Sequence, residues 1–452
     1  MCKKAFLFTF ISLAFIPFGC YSQDSAKVIT LDSCIKIAVT KSTEVLKGNN
    51  TVGLAGTQVL ASYGQFLPNL VADVGYNYTG GKDYYVTTVP TLVDGNKTAF
   101  NYQLTSSINI FTGLANKSAL DAALMTKKGA LFSLERAKQQ ISFDVTQSYL
   151  QVILDKKIVA YAQQNLNTSE KREDQIKALT DVGRKVKSDL YQQQAETSND
   201  KLFLINSQNK LRTDKILLFK KLRIDNAGKY ELADIVINDQ PLNSSYDNEQ
   251  SLIDTALSRR YDLKSSQLNV NIADENITHF KSGYLPMLSL NYGLYSNGGT
   301  YYRLFVDDVD ALPPTQTSFA SQLAQIYGYV GLNATWNIFD KYYTKSNVAA
   351  NKIYADNARI DYEDLQIEIT ADIRQALGDY KAALQQVETS DRGLTAAQNA
   401  FDVINGSYSA GSADFIELSN AQIVLLQAQE NKTQSDIGLM LQKQIIDFYL
   451  GK

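Results

Sequence analysis

The sequence predicts an α+β membrane protein made of two structural repeats, in which amphipathic strands contribute to a β-barrel and long helices continue it as a coiled-coil barrel. Three observations predict this. Four segments alternate apolar and polar residues with period two. Two long stretches, 91–240 and 315–452, contain no proline. The order of these features occurs twice.

The chain opens with what reads as a secretory signal over residues 1–22. Lys3 and Lys4 supply the charged region, and Ala5 to Phe18 form an apolar stretch too short to span a membrane and stop there. Cys20-Tyr21-Ser22 offers a small-x-small site for cleavage before Gln23. Losing the two lysines takes the formal net charge from −3 to −5, whereas a nucleic-acid partner selects a basic face. Cys20 also admits a second reading, lipidation, although bulky Phe18 stands where a lipobox has a small residue. Cys2 leaves with the signal. Cys34 then stands alone in the mature chain, where one thiol makes no intramolecular disulfide, and is expected to be a small buried residue on a helix. No other stretch approaches the ~18 consecutive apolar residues of a membrane helix. The mature chain is therefore either a soluble periplasmic protein or a β-type membrane protein.

The prolines mark the repeat. Proline breaks helix interiors, so the proline-free stretches are open to long helices. Phe66-Leu67-Pro68 is echoed by Tyr284-Leu285-Pro286, Asn109-Ile110-Phe111 by Asn337-Ile338-Phe339, and Gly183 with Asp189 by Gly411 with Asp414. The spacing is roughly 225 residues, a duplicated unit. The first repeat is placed at 23–230, a linker at 231–248 and the second repeat at 249–452. Each repeat reads helix, strand, loop, strand, long helix, glycine turn, returning helix.

Strands are expected at about 69–79, 99–111, 286–295 and 328–339, each near the ~9–11 residues of a tilted membrane strand. Leu70, Ala72, Val74, Tyr76 and Tyr78 share one face of the first. Phe100, Tyr102, Leu104, Ile108 and Ile110 share a face of the second, Leu288, Leu290, Tyr292 and Leu294 of the third, and Val330, Leu332, Ala334, Trp336 and Ile338 of the fourth. The opposite faces are rich in Asn, Thr, Ser and Gly, as a water-filled lumen requires. The apolar faces carry Tyr and Trp, which favour membrane interfaces. An ordinary half-buried sheet is the plainer alternative. The intervening stretches 80–98 and 296–326 read as polar external loops, with Lys82-Asp83-Tyr84-Tyr85 and Tyr301-Tyr302-Arg303 as loop residues or a ligand patch.

Two helical seams follow. In the first repeat Leu124, Leu131, Val145, Val152, Val159 and Leu166 recur at multiples of seven, broken by Lys138. In the second, Ile369, Ile373, Ala376, Tyr380, Ala383, Val387, Ser390, Leu394, Ala397, Phe401 and Ile404 alternate spacings of four and three, a coiled-coil pattern.

Four strands cannot close a barrel, because the smallest outer-membrane barrels use eight. An open strand edge in lipid leaves backbone groups unsatisfied at several kcal/mol each. Several chains must therefore share one barrel. Two would give eight strands and a filled interior, three would give twelve and a lumen, and the polar strand faces favour three.

The opening Ile29-Thr30-Leu31-Asp32-Ser33-Cys34-Ile35-Lys36-Ile37-Ala38, the two helix-Leu-Pro-strand junctions, the Asn-Ile-Phe strand exits and Tyr408-Ser409-Ala410-Gly411 resemble TolC-like outer-membrane efflux proteins (outer membrane factors). The resemblance runs from about residue 27 to the C-terminus. It implies a homotrimer in the outer membrane of a Gram-negative bacterium, with a twelve-stranded barrel, a twelve-helix periplasmic tunnel and most of the chain in the periplasm. It implies a passive exit duct for a tripartite efflux or type I secretion system, docked to a periplasmic adaptor and an inner-membrane pump. On this resemblance the hairpin tips Val182, Gly183 and Arg184, and Ala410, Gly411 and Ser412, meet the adaptor. Asp414 and Glu417 would constrict the periplasmic entrance as a ring of six acids. Their Asp-x-x-Glu spacing is equally that of a helix capping box, and Asp189 reads as a plain N-cap.

No enzyme signal emerges. His279 is the single histidine, which excludes a His-dependent triad or a multi-His metal site, and there is no phosphate-binding glycine motif. No cofactor or metal is expected. The alternative function is a periplasmic coiled-coil scaffold or adaptor without a pore of its own.

Overall fold

The computed structural model describes residues 27–86, 90–225, 230–235, 248–306, 309–310 and 326–452. The signal segment, Cys20 and most of the 231–248 linker lie outside them. The described chain runs β1 (Lys27–Ile29), α1 (Leu31–Lys41), α2 (Thr43–Gly64), β2 (Val71–Val86), β3 (Pro90–Phe111), α3 (Ala115–Asp181), α4 (Lys187–Lys221), β4 (Tyr230–Leu232), α5 (Glu249–Arg259), α6 (Tyr261–Lys281), β5 (Met287–Val306), β6 (Val309–Asp310), β7 (Ile326–Thr335), α7 (Tyr343–Ser409) and α8 (Phe415–Tyr449).

The repeat is tight in its long helices. α3 and α7 each have 67 residues, and α4 and α8 each have 35. Every one of their bounds recurs 228 residues later (343 − 115 = 228). The turns between strand and helix repeat as well. Gly113 and Leu114 have φ of 63° and 75°, and their counterparts Lys341 and Tyr342 have 55° and 66°. Thr112 and Asp340 occupy equivalent positions just before these turns. Thr112 Oγ1 accepts from Asn116 N at 3.2 Å, and Asp340 Oδ2 from Thr344 N at 2.8 Å. Each satisfies a backbone donor that a helix start would otherwise leave bare.

By contacts the chain forms two units, Met1–Lys36 with Ser148–Ile237 and Ile37–Gln147 with Asn238–Lys452. This division cuts across the first repeat and leaves the second whole. In the first unit β1 pairs with β4 in parallel. Tyr149, fully buried, donates its hydroxyl to Ala233 O at 2.6 Å beside this pair, and burial pushes its phenol up to about 12. Cys34 is fully buried on α1, and burial pushes its thiol up to about 11, so it is an inert packing residue. α3 and α4 meet through Ala162, Leu166 and Leu204. Asp200 accepts from Asn165 and Ser169 in the same contact.

In the second unit α5, α6, α7 and α8 share a core that includes Leu252, Ile253, Leu263, Ile369, Ile373 and Ile446. Each large aliphatic side chain buried there contributes about 1.5–3 kcal/mol of hydrophobic stabilisation. The seam of α7 is buried from Ile369 to Ala383 and half-buried at Val387, Leu394, Phe401 and Ile404. The first seam departs from expectation. Val145, Val152 and Leu166 are buried, but Leu124 and Leu131 are 41% and 43% exposed, so heptad spacing alone did not identify a face covered within one chain.

The strands also differ from the alternation. β2 and β3 extend through most of the first expected loop, with Thr79–Val86 paired to Pro90–Lys97, and β5 runs into the second as far as Val306. Their Gly, Asp and Thr residues pair because a hairpin ladder needs only backbone groups. Lys82 is exposed, and the other side chains of the two loop motifs lie outside the described residues. β2 begins at Val71, yet Asn69 still meets β3, its N–H donating to Ser107 O at 3.1 Å and its Oδ1 accepting from Ser107 N at 2.7 Å. β7 ends at Thr335, opposite Met287 where β5 begins. Trp336 instead donates its indole N–H to Tyr284 O at 3.1 Å.

Candidate functional site

Four long strands form one antiparallel sheet in the order β2-β3-β5-β7, with short β6 also on β5. Residues opposite one another across a ladder share a face, so the register decides where each face points. Ala72 pairs with Leu104, Leu104 with Leu294, and Leu294 with Gly328. Ile108 pairs with Leu290, and Leu290 with Leu332. The four apolar rows thus fall on one side. Asn109, Ser289 and Asn333 align on the other, where Gln103 donates to Asp73 at 3.0 Å.

Among the described residues no core covers the apolar side. Val74 is 72% exposed, Val330 71% and Leu332 65%. An uncovered apolar sheet of this extent marks an interaction or membrane surface. The sheet also ends on two open edges: among the described residues β2 pairs only with β3, and β7 only with β5.

One feature of the polar side escaped the alternation. Tyr295 stacks on Tyr327 and Tyr329, with ring centroids 5.7 and 5.4 Å apart. The rings lean over Gly293, where a Cβ would lie 2.5 Å from Tyr329 and 2.7 Å from Tyr295. The stack needs Gly293 opposite Tyr329 on the adjoining strand, and that cross-strand pairing is not written locally.

The two hairpin tips share one geometry. Gly183 and Gly411 have φ of 74° and 80°. Arg184 N donates to Leu179 O at 2.8 Å, and Ser412 N to Ser407 O at 2.9 Å. This is the Schellman termination, for which glycine is favoured because it adopts the left-handed conformation without strain. Val182, Gly183, Arg184, Ala410, Gly411 and Ser412 are all exposed, and a Cβ on either glycine would meet nothing within 4 Å.

Asp414 and Glu417 form the capping box at the start of α8. Glu417 N donates to Asp414 Oδ1 at 2.7 Å, and Asp414 N to Glu417 Oε2 at 3.4 Å. Both side chains remain exposed. Asp189 is not the N-cap of α4. Val186 holds that position without a side-chain bond, and Asp189 sits in the first turn, where Lys185 Nζ is 3.5 Å away and the helix dipole favours an anion. His279 Nδ1 lies 3.2 Å from Ala115 O, a packed residue of α6. Among the described residues no His, Cys, Asp and Glu group could hold a metal ion.

The family model described as outer membrane efflux protein matches residues 39–222 and 252–437, one segment in each repeat. No curated protein sequence matches the chain. Among solved structures, the outer membrane protein VceC of Vibrio cholerae is 14% identical, with a TM-score of 0.77 over 93% of this chain and 96% of that one. The CmeC outer membrane channel of Campylobacter jejuni is 15% identical, with a TM-score of 0.73 over 98% and 94%. The open MtrE outer membrane channel of Neisseria gonorrhoeae is 14% identical, with a TM-score of 0.70 over 98% and 95%. Identities this low speak for the fold, and the family model, which spans well over half of the residues, speaks for kinship. The chain is an outer-membrane protein with the fold of these channels, and it belongs to the outer membrane efflux protein family.

Proposed function

We propose that three copies close one twelve-stranded barrel and form a passive exit duct, conducting substrates delivered by a periplasmic adaptor and an inner-membrane pump. One observation carries this reading: the four-stranded sheet has two open edges and two unlike faces. Lipid tolerates no open edge. Pairing β7 of one copy with β2 of the next satisfies both edges and places the apolar rows outward. The polar rows then line a lumen wide enough for water at twelve strands. A periplasmic scaffold without a pore has no use for an apolar sheet face left uncovered. The energy for export comes from the pump.

In this reading the exposed tips around Gly183 and Gly411 meet the adaptor. Asp414 and Glu417 have a second role beyond capping: six exposed carboxylates narrow the entrance and favour cations. The test is single-channel recording of the purified protein in a planar bilayer. A duct gives discrete, long-lived conductance steps with cation preference. Protein that inserts yet never conducts would overturn the reading.

A further inference from the structure

The first hairpin holds a buried carboxylate that the duct does not use. Asp155 on α3 is 2% exposed. Its Oδ1 accepts from Lys210 Nζ at 2.6 Å and from Gln151 Nε2 at 3.0 Å. Its Oδ2 is also buried and accepts from no N–H or hydroxyl donor among the described residues. An orphaned carboxylate oxygen is costly. The group that can answer it is a second acid. Asp214 follows Lys210 by one turn on α4, so both lie on the face turned to α3, and a protonated Asp214 donates to Asp155.

Nearby charges have partners of their own. From α3, Lys156 pairs with Asp234 at 2.8 Å. From α4, Lys221 reaches Ser148 at 2.8 Å. Lys210 is the cation that acts on both acids. The second repeat, 228 residues on, has Ala383, Gly438 and Gln442 where the first has Asp155, Lys210 and Asp214. The cluster therefore belongs to one hairpin alone and is no requirement of the repeat.

We propose that Asp155 and Asp214 share one proton across the α3–α4 contact, and that losing it loosens the base of the first hairpin, making this segment a pH-responsive hinge. With the proton in place, one carboxylate faces one ammonium. Without it, two carboxylates compete for Lys210 across a partly dry contact, and like charges at hydrogen-bond distance resist joint ionisation. Burial raises the Asp214 carboxyl first. Its bond to Asp155 and the charge of Asp155 raise it further, against the pull of Lys210. The folded hairpin thus binds the proton more tightly than the unfolded chain does. The contact is fully made below the ordinary carboxylate value near pH ~4 and weakens as pH rises through the raised value.

Hydrogen–deuterium exchange on the detergent-purified full chain tests this across a pH series, corrected for the intrinsic exchange rate. Peptides covering 150–160 and 207–218 are read against the equivalent α7–α8 peptides, which serve as an internal control. In the wild type, protection of the first hairpin should fall by up to about tenfold per unit by which Asp214 is raised, while the control stays level. Asp214→Asn keeps a donor and carries no charge, so it should hold the acid-state protection at every pH. Asp214→Ala has no donor and should show low protection even in acid. Identical pH profiles for the wild type and Asp214→Asn would overturn the proposal, as would protection that rises with pH. The wild type and the near-isosteric Asn variant decide the matter by themselves if the Ala variant fails to assemble.

Discussion

Arg260 Nη1 stands 3.2 Å from Asp372 Oδ2 and ties the α5–α6 junction to α7. The guanidinium side chain is 5% exposed and is bound again by Asp262, at 2.7 Å from Nη2. Arg136 adds its Nε at 3.4 Å from Asp262, and its guanidinium lies 4.0 Å over the Phe448 ring. Removing one member strands buried opposite charges. Arg260→Ala should therefore destabilise the second unit by about 3–5 kcal/mol, read as a lower urea midpoint. Arg374→Ala is the control: its pair with Glu249 is 62% and 52% exposed, and such surface pairs contribute about 0–1 kcal/mol.

The same cluster sets an acid limit. Burial raises Asp262, but its bonds to Arg260 and the charges of Arg260 and Arg136 outweigh that and hold it below the usual carboxylate range. A depressed carboxylate contributes stability above its unfolded value, near ~4, and loses it as pH falls through the folded value. Unfolding midpoints of the second unit should thus drop below about pH 4 in the wild type. Asp262→Asn should start lower and respond less to acid. An unchanged acid profile in that variant would remove Asp262 from the account.

Two glycines of like conformation should respond differently. Gly113 has φ +63°, and a Cβ there would lie 2.7 Å from Ser282 O. Gly183 has φ +74° with nothing within 4 Å. Gly183→Ala should cost about 1 kcal/mol for the left-handed backbone alone. Gly113→Ala adds a clash with a backbone carbonyl and should cost visibly more. Thermal unfolding of the two variants, side by side, checks the order.

Replacing both Asp414 and Glu417 by Ala tests the proposed constriction. Loss of the capping box should destabilise α8 by about 1 kcal/mol. Loss of six carboxylates per trimer should raise single-channel conductance and weaken cation selectivity. A stability change with unchanged conductance would leave the two residues as caps only.

The strand faces, the doubled order and the glycine tips were legible because each is written in local sequence: Val74 beside Asp73, Gly411 before Asp414. Strand lengths were not, since Thr79–Val86 pairs by backbone and carries no alternation to read. The Asp189 position was missed because a cap depends on where the helix starts, and Lys187 and Ser188 already lie inside it. The clusters around Arg260 and Asp155 were invisible for a different reason. Arg260 and Asp372 are 112 residues apart and Asp155 and Lys210 are 55 apart, and no periodicity joins them.

In the proposed trimer, the open edges of β2 and β7 are closed by neighbouring copies. The mass of the detergent-purified protein, measured by light scattering with detergent subtracted, tests it most directly. Three chains per particle is the predicted result. A single chain that stays soluble without detergent would contradict a shared barrel and leave a periplasmic scaffold as the reading.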